Sequence, residues 1–155
     1  MPSATSDPTL DLLRAIWKLD HDLQCASKRM AATVGLTGPQ RLCLLHIGRR
    51  PRVTPSELAT LLHLDRGTIT GVVSRLEQSG LVARDANPED GRSVHLRLTA
   101  KGRLMNRNRG RTIESAVRRA LGRVARRDVV AARRLLASVS NELLTLNDSK
   151  SSGRS

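Results

Sequence analysis

Apolar residues recur at alternating intervals of four and three near both ends of the chain. This spacing is typical of a long helix that carries one apolar stripe, and Asp7-Pro8 can start the first such helix. A further helix is predicted around Ile113, Val117, Leu121 and Val124. We name the two spaced sets the N-terminal stripe (Leu12, Ile16, Leu19, Leu23, Ala26 and Met30) and the C-terminal stripe (Val129, Ala132, Leu136, Val139, Leu143 and Leu146).

These terminal helices carry many arginines on their other faces and look short of a complete core by themselves. Burial of their stripes therefore favours pairing with a second copy of the chain. The polar, Ser-rich segment 148–155 predicts a disordered tail.

Three short helices are predicted in the middle of the chain. The first starts at Thr37-Gly38-Pro39, has Leu42, Leu45 and Ile47 among its apolar positions, and ends before Pro51. The second starts at Thr54-Pro55-Ser56-Glu57, a capping box with proline at the first helical position, and runs through Leu58, Leu61 and Leu62.

The third helix starts after Asp65, a good N-cap, and ends before Gly80. At 100° per residue, Ile69, Val72, Val73 and Leu76 share one face and point inward. The opposite face is small and polar, with arginines that can bind phosphates or guanine edges. It comprises Arg66, Gly67, Thr68, Thr70, Gly71, Ser74, Arg75 and Gln78.

After Gly80 the apolar period changes to two, which predicts a hairpin of residues 81–84 and 94–98 with a loop over 85–93. The loop holds Asp90-Gly91-Arg92, whose arginine suits a DNA minor groove, although an ordinary solvated turn would read the same way. Thr99 opens the next helix.

Two helices joined by a tight turn and followed by a hairpin make a winged helix-turn-helix. The predicted fold is α+β and mostly α, with this DNA-binding lobe over 36–100 and an intertwined helical dimerisation region over 8–34 and 101–147. A solvated amphipathic helix is the plainer interpretation of the third helix alone, but the capping box and hairpin around it favour the lobe.

The 155 residues suit a single domain, here 8–147, and a formal charge of +13 indicates a polyanionic partner. No apolar run is long enough to cross a membrane and no secretory signal is visible, so we expect a cytoplasmic protein with no membrane partner. Trp17 is the sole aromatic residue, which disfavours binding by base stacking. We expect no enzyme, no cofactor and no metal, because no catalytic constellation or metal-ligand spacing is present.

Several motifs together resemble the MarR family of bacterial winged helix-turn-helix regulators. They are Leu36-Thr37-Gly38-Pro39-Gln40, Ser56-Glu57-Leu58-Ala59, Leu64-Asp65-Arg66-Gly67-Thr68-Ile69-Thr70, Arg75-Leu76-Glu77-Gln78-Ser79-Gly80-Leu81-Val82, Asp90-Gly91-Arg92-Ser93 and Leu98-Thr99-Ala100-Lys101-Gly102. The resemblance implies a homodimer with recognition helices in successive major grooves and wing arginines in the flanking minor grooves. Arg92 matches the wing arginine and Asp90 its acidic partner, whereas Gly91 stands where many members have another arginine.

Such regulators are usually repressors released by a small molecule or by thiol oxidation. The sensing cysteine of the hydroperoxide branch would fall at Leu13, so we interpret Cys25 and Cys43 as buried small hydrophobes. The same alignment directs Trp17 and His21 toward an effector pocket, although core packing is the favoured interpretation of Trp17.

The sequence therefore predicts a ligand-responsive, sequence-specific transcriptional regulator, acting as a repressor at a pseudopalindromic operator. A winged-helix scaffold or a protein that coats DNA nonspecifically is the alternative. The partners are double-stranded DNA, a second copy, and a small anionic or aromatic effector. The predicted DNA-binding residues are Thr54, Arg66, Gly67, Thr68, Thr70, Gly71, Ser74, Arg75, Asp90, Arg92 and Ser93.

Overall fold

The computed structural model describes residues 7–91, 93–108 and 110–148. For residues 147 and 148 it describes the backbone alone. The chain divides into two units, Met1–Ile113 and Glu114–Ser155. The elements, in chain order, are α1 (Pro8–Val34), α2 (Gly38–Arg49), α3 (Pro55–Leu62), α4 (Arg66–Gln78), β1 (Val82–Ala86), β2 (Val94–Leu98), α5 (Ala100–Arg107), α6 (Ile113–Leu121) and α7 (Arg126–Asp148).

The predicted helix starts are confirmed, because each is fixed by a side chain that caps the first turn. The Asp7 carboxylate accepts from the Thr9 amide at 2.9 Å, and the Asp65 carboxylate accepts from the Thr68 amide at 2.8 Å. Thr37 and Thr54 both form complete capping boxes, with Gln40 and Glu57 respectively. Each cap satisfies amides that the helix itself leaves unpaired.

The core of the first unit lies between α2, α3, α4 and the hairpin. All four predicted inward residues of α4 are buried, and Val73 and Leu76 are completely so. The apolar positions named for α2 are not all buried, since Leu42 is 44% exposed while Cys43 and Leu44 are fully buried. Leu42 follows the buried Arg41 by 100° of helix rotation, which turns it out of the core.

The hairpin pairs β1 and β2 antiparallel, with Val82 opposite Leu98 and Ala86 opposite Val94. The connecting loop is shorter than the predicted 85–93, because β1 continues through Asp85 and Ala86. Asp85 belongs to the strand because it pairs with His95, and its carboxylate accepts from the Arg97 Nε at 2.7 Å. The loop that projects from the hairpin therefore begins at Asn87.

Helix α5 packs against α2 and β2, although the prediction assigned residues 101–147 to the dimerisation region. Its start lies on the link between α4 and β1, where the Thr99 amide donates to the Leu81 carbonyl at 3.0 Å. Its end is held by Arg41, which donates from Nη1 to the Met105 carbonyl at 2.8 Å and from Nη2 to the Asn108 carbonyl at 2.7 Å. Helix α5 is thus part of the winged-helix lobe.

Helix α1 also belongs to the first unit, but its stripe is buried only toward its C-terminal end. Met30 is 1% exposed, whereas Leu19 and Leu23 are 53% and 40% exposed. Within a single chain, the N-terminal stripe is therefore incompletely covered, since Leu12, Ile16 and Ala26 are half-buried and Leu19 and Leu23 are exposed.

The second unit contains most of α6 and all of α7. Helix α7 includes Asp148, so the first residue of the predicted tail is helical, and the rest of that prediction, 149–155, lies outside the described residues. The C-terminal stripe is largely open, with Leu136, Leu143 and Leu146 at 48–64% exposure. In the described ranges, no helix is long and apolar enough to span a membrane.

Candidate nucleic-acid interface

The outward face of α4 carries small and polar residues. Its predicted members are exposed, apart from Ser74, which is half-buried. A Cβ added at Gly71 would meet nothing within 4 Å, so a partner can approach the helix backbone closely there. Because the opposite face is anchored in the core, α4 presents this surface rigidly.

The threonine hydroxyls on this face already donate hydrogen bonds within the helix. Thr68 Oγ1 donates to the Asp65 carboxylate at 2.5 Å, and Thr70 Oγ1 donates to the Arg66 carbonyl at 2.7 Å. The bonds from the Thr68 hydroxyl and amide also hold the pKa of Asp65 below its usual value. In this conformation the two hydroxyls offer acceptor lone pairs to a partner, which suits base amino groups rather than phosphates.

Arg66 and Arg75 supply the positive charge of the face. Both are exposed, and neither makes an ion pair or a side-chain hydrogen bond within the described ranges. The hairpin arginines differ, since Arg84 Nε lies 2.9 Å from both Glu77 carboxylate oxygens and Arg97 is paired with Asp85. An anionic partner therefore meets unpaired guanidinium groups on α4 and neutralised ones on the strands.

Thr54 caps α3, and its side chain is fully engaged there. Its amide and its hydroxyl donate to the Glu57 carboxylate at 2.7 and 3.0 Å, and its hydroxyl accepts from the Glu57 amide at 3.2 Å. The bond from the Thr54 amide, followed by that from its hydroxyl, lowers the pKa of Glu57. The hydrogen bonds to the Glu57 carboxylate therefore stabilise the folded chain fully above the ordinary glutamate pKa. This stabilisation is lost as the pH falls through the lowered pKa of Glu57.

The loop of the hairpin is held by its own hydrogen bonds. Asn87 Nδ2 donates to Ser93 Oγ at 2.7 Å, and the Ser93 amide donates to the Asp90 carbonyl at 3.0 Å. The predicted site residue Ser93 therefore also stabilises the loop through its own hydrogen bonds. Asp90 is exposed, and the predicted wing arginine, Arg92, lies outside the described residues.

The lobe that carries this face matches a family model described as the MarR family over residues 36–94. The chain is also similar to a solved structure titled as a probable transcriptional regulator from Pseudomonas aeruginosa, at 30% identity and a TM-score of 0.63. That similarity covers 79% of this chain and 94% of the other. This chain belongs to the MarR family.

Two further similarities fit this assignment. The organic hydroperoxide resistance transcriptional regulator of Bacillus subtilis is 37% identical over 78 residues, which are 50% of this chain and 53% of that protein. The chain thus spans about half the length of that curated relative. The Streptococcus pneumoniae FabT structure, solved in complex with DNA, shares the fold at 24% identity and a TM-score of 0.67, over 90% of this chain and 99% of that one.

Arg41 is a structural residue of the lobe that the sequence interpretation missed. It is 2% exposed and joins α2 to the carbonyl end of α5. Its spacing of three and six residues from the buried Leu44 and Ile47 places it on the inner face, which is the signal that could have found it.

Within the described ranges, no three His, Cys, Asp or Glu side chains are grouped to hold a metal ion.

The residues predicted for an effector pocket both lie on α1. Trp17 is 67% exposed, so the favoured interpretation, core packing, is wrong within a single chain. His21 is exposed one turn further on, and its Nε2 lies 3.5 Å from the Cys25 Sγ. The two side chains share one side of the helix, but the pocket itself stays a prediction.

The two cysteines differ in burial, so the prediction of buried thiols is confirmed for Cys43 and wrong for Cys25. Cys43 is completely buried, and burial raises its pKa to about 12, whereas Cys25 is only half-buried. Because the thiolate is the reactive form, we expect one fast-reacting thiol per native chain with a disulfide reagent at pH 8.

Cys25→Ser is expected to abolish this fast reaction, whereas Cys43→Ser leaves it unchanged. In urea, the wild type is expected to expose a second thiol. Two fast thiols in the native protein would contradict the burial of Cys43.

Proposed function

We propose that this chain is a homodimeric transcriptional regulator that binds double-stranded DNA at a specific operator and acts as a repressor in the bacterial cytoplasm. The exposed face of α4 carries the proposal, since it combines open glycine backbone with the unpaired Arg66 and Arg75. The DNA complex of FabT, which shares the fold, supports the same use of the lobe. The proposed DNA-binding residues remain those predicted from the sequence.

The proposed dimer rests on the apolar side chains that a single chain leaves exposed. Apart from Leu42 and Leu104, the large exposed apolar residues of the described ranges lie on α1, on α6, on α7 or in the α6–α7 connection. Exposed large apolar side chains that recur along one side of a helix mark an interaction site. We therefore assign 8–34 and 113–147 to dimerisation and extend the lobe to include α5.

The proposed regulation is release from DNA by a small anionic or aromatic effector, with Trp17 and His21 as contacts on α1. Such an effector must bind the DNA-incompetent arrangement better than the competent one, because equal affinity shifts no population. We expect an aromatic carboxylate such as salicylate to raise the melting temperature and weaken operator binding. Trp17→Ala is expected to reduce both effects, and an unchanged response would remove Trp17 from the pocket.

Footprinting on the DNA beside the gene tests the proposed function. A dimer is expected to protect a pseudopalindrome whose half-site centres lie about 10 base pairs apart. Competition with bulk DNA should show a preference of roughly 10³ or more for the operator. A protein that binds all duplexes equally would instead support the nonspecific alternative, and one that binds none would support the scaffold.

Arg75→Ala probes the recognition face directly. If Arg75 contacts a base, its loss should cost about 1–3 kcal/mol at the operator and relax the preference at one position. Arg14→Ala on α1 is the matched control, since it removes the same charge from an exposed arginine that is paired with Asp11. Equal operator affinity for the two variants would contradict the placement of α4 on the DNA.

A further inference from the structure

A second concentration of positive charge lies on α6, on α7 and between them, away from the winged-helix lobe in sequence. Residues 118–134 contain seven arginines and one acidic residue. All seven arginines are exposed. Four of them belong to α7, and we name this set the arginine ridge (Arg126, Arg127, Arg133 and Arg134).

The charges of the ridge are hardly neutralised by acidic side chains of the same chain. Arg127 Nε lies 3.6 Å from the Asp128 carboxylate, but the two side chains are 90% and 58% exposed, so this ion pair is weak. Arg126, Arg133 and Arg134 make no ion pair or side-chain hydrogen bond within the described ranges. Their charges therefore remain available to an external anion.

The ridge lies on the side of α7 opposite the C-terminal stripe. At 100° per residue, the middle of the ridge is roughly 150° around the helix from the middle of the stripe. Arg126 and Arg127 recur as Arg133 and Arg134 after seven residues, which is about 10 Å along the helix axis. Burial of the stripe in the proposed dimer therefore leaves the ridge exposed.

The composition of the ridge favours a phosphodiester backbone as its partner. Every ridge cation is an arginine, whose planar fork matches phosphate oxygens. No aromatic residue lies on α7, so the helix cannot stack on unpaired bases. Val130, Ala137 and Leu144 are the apolar residues on the ridge side of α7, and three such scattered side chains offer little to insert into a bilayer once the stripe is covered.

We propose that the arginine ridge is a second DNA-binding surface, which holds the phosphate backbone of double-stranded DNA without reading its sequence. The inference rests on the proposed function, because the dimer covers the stripe and DNA is the polyanion that the chain meets. It adds a contact that the α4 face does not supply. The ridge would raise the affinity for any duplex and leave the choice of operator to α4.

Two full-length variants with matched substitutions test the ridge. One replaces its four arginines by glutamine and the other replaces them by lysine, and both replacements are good helix formers. Binding to an operator-free duplex and to the operator duplex is measured by fluorescence anisotropy over a range of salt concentrations. Circular dichroism and sedimentation confirm that each variant keeps the fold and oligomeric state of the wild type.

The glutamine variant is expected to bind the operator-free duplex roughly tenfold more weakly at moderate salt, with a salt slope that falls by about one for each lost phosphate contact. The lysine variant keeps the charge and should stay within roughly threefold of the wild type. The ratio of operator to operator-free affinity should stay the same in the glutamine variant, since α4 is untouched.

An unchanged salt slope in the glutamine variant would overturn the inference, as would equal losses in the two variants. Vesicles that contain phosphatidylglycerol serve as the competing polyanion. If the substitution abolishes vesicle binding and leaves DNA binding intact, the ridge is a membrane surface and the inference is wrong. A wild type without operator preference would contradict the proposed function instead. Binding of the variants to the operator-free duplex would still show whether the ridge contacts DNA.

Discussion

Replacing Gly102 by alanine is expected to lower the free energy of unfolding by about 2–3 kcal/mol, because the added methyl group overpacks a closed contact. Gly102 lies in the first turn of α5, and a Cβ there would overlap the Leu81 carbonyl oxygen. That oxygen accepts from the Thr99 amide at 3.0 Å, and the Thr99 hydroxyl donates to the adjacent Gly80 carbonyl at 2.6 Å. The methyl group can be accommodated only if α5 moves away from these bonds.

Gly71→Ala is the matched control for this substitution. It introduces the same methyl group on a helix of the same lobe, but nothing lies within 4 Å of the new Cβ. Since glycine inside a helix costs about 0.5–1 kcal/mol relative to alanine, Gly71→Ala is expected to stabilise the protein slightly. Thermal and urea unfolding, followed by circular dichroism at one protomer concentration, separates the two variants. Equal unfolding midpoints would contradict the close packing of α5 on the lobe.

The helix starts of this chain could be predicted because their causes are local. Asp7, Thr37, Thr54 and Asp65 each bond to an amide two or three residues away, so the signal and its effect lie in the same short segment. The inner face of α4 could be predicted equally well, since the four apolar residues at helical spacing are all buried. The recognition face follows from these two facts by helix geometry alone.

The features that sequence reasoning missed depend on contacts between distant segments. Arg41 is buried because the carbonyl groups at the end of α5, more than sixty residues later, accept its guanidinium protons. A charged residue on an inner helix face offers no local sign that such acceptors exist. The exposure of Leu42 could not be predicted for the same reason, because nothing local shows that the neighbouring Arg41, and not Leu42, lies on the inner face.

The extent of β1 and the attachment of α5 were also set by tertiary packing. Asp85 looked like a loop residue, yet it pairs with His95 across the hairpin, and its carboxylate also accepts from Arg97. The start of α5 was predicted at Thr99, but its attachment to the lobe follows from the close approach of Gly102 to Leu81. Capping residues mark where a helix starts and give no information about its neighbours.

Substituting aspartate for both Leu136 and Val139 is expected to convert the dimer to a monomer and to destabilise its dimerisation helices. Both residues belong to the C-terminal stripe, and Leu136 is 48% exposed in the single chain. If the stripe is buried in the dimer, each introduced carboxylate loses its water without a partner, at a cost of several kcal/mol in order of magnitude. Analytical ultracentrifugation at micromolar protein should then show the mass of one chain instead of two.

The control adds the same two charges to the other side of α7, as Ser138→Asp and Asn141→Asp. By helix geometry these positions lie far around the axis from the stripe and closer to the arginine ridge. Their carboxylates would stay hydrated and near opposite charge, so the control should sediment as a dimer and unfold close to the wild-type temperature. Because an obligate dimer gains stability with concentration, the wild type and the control should also unfold at temperatures that rise with protein concentration. A wild type that sediments as a monomer, or a stripe variant that remains a dimer, would remove the C-terminal stripe from the interface.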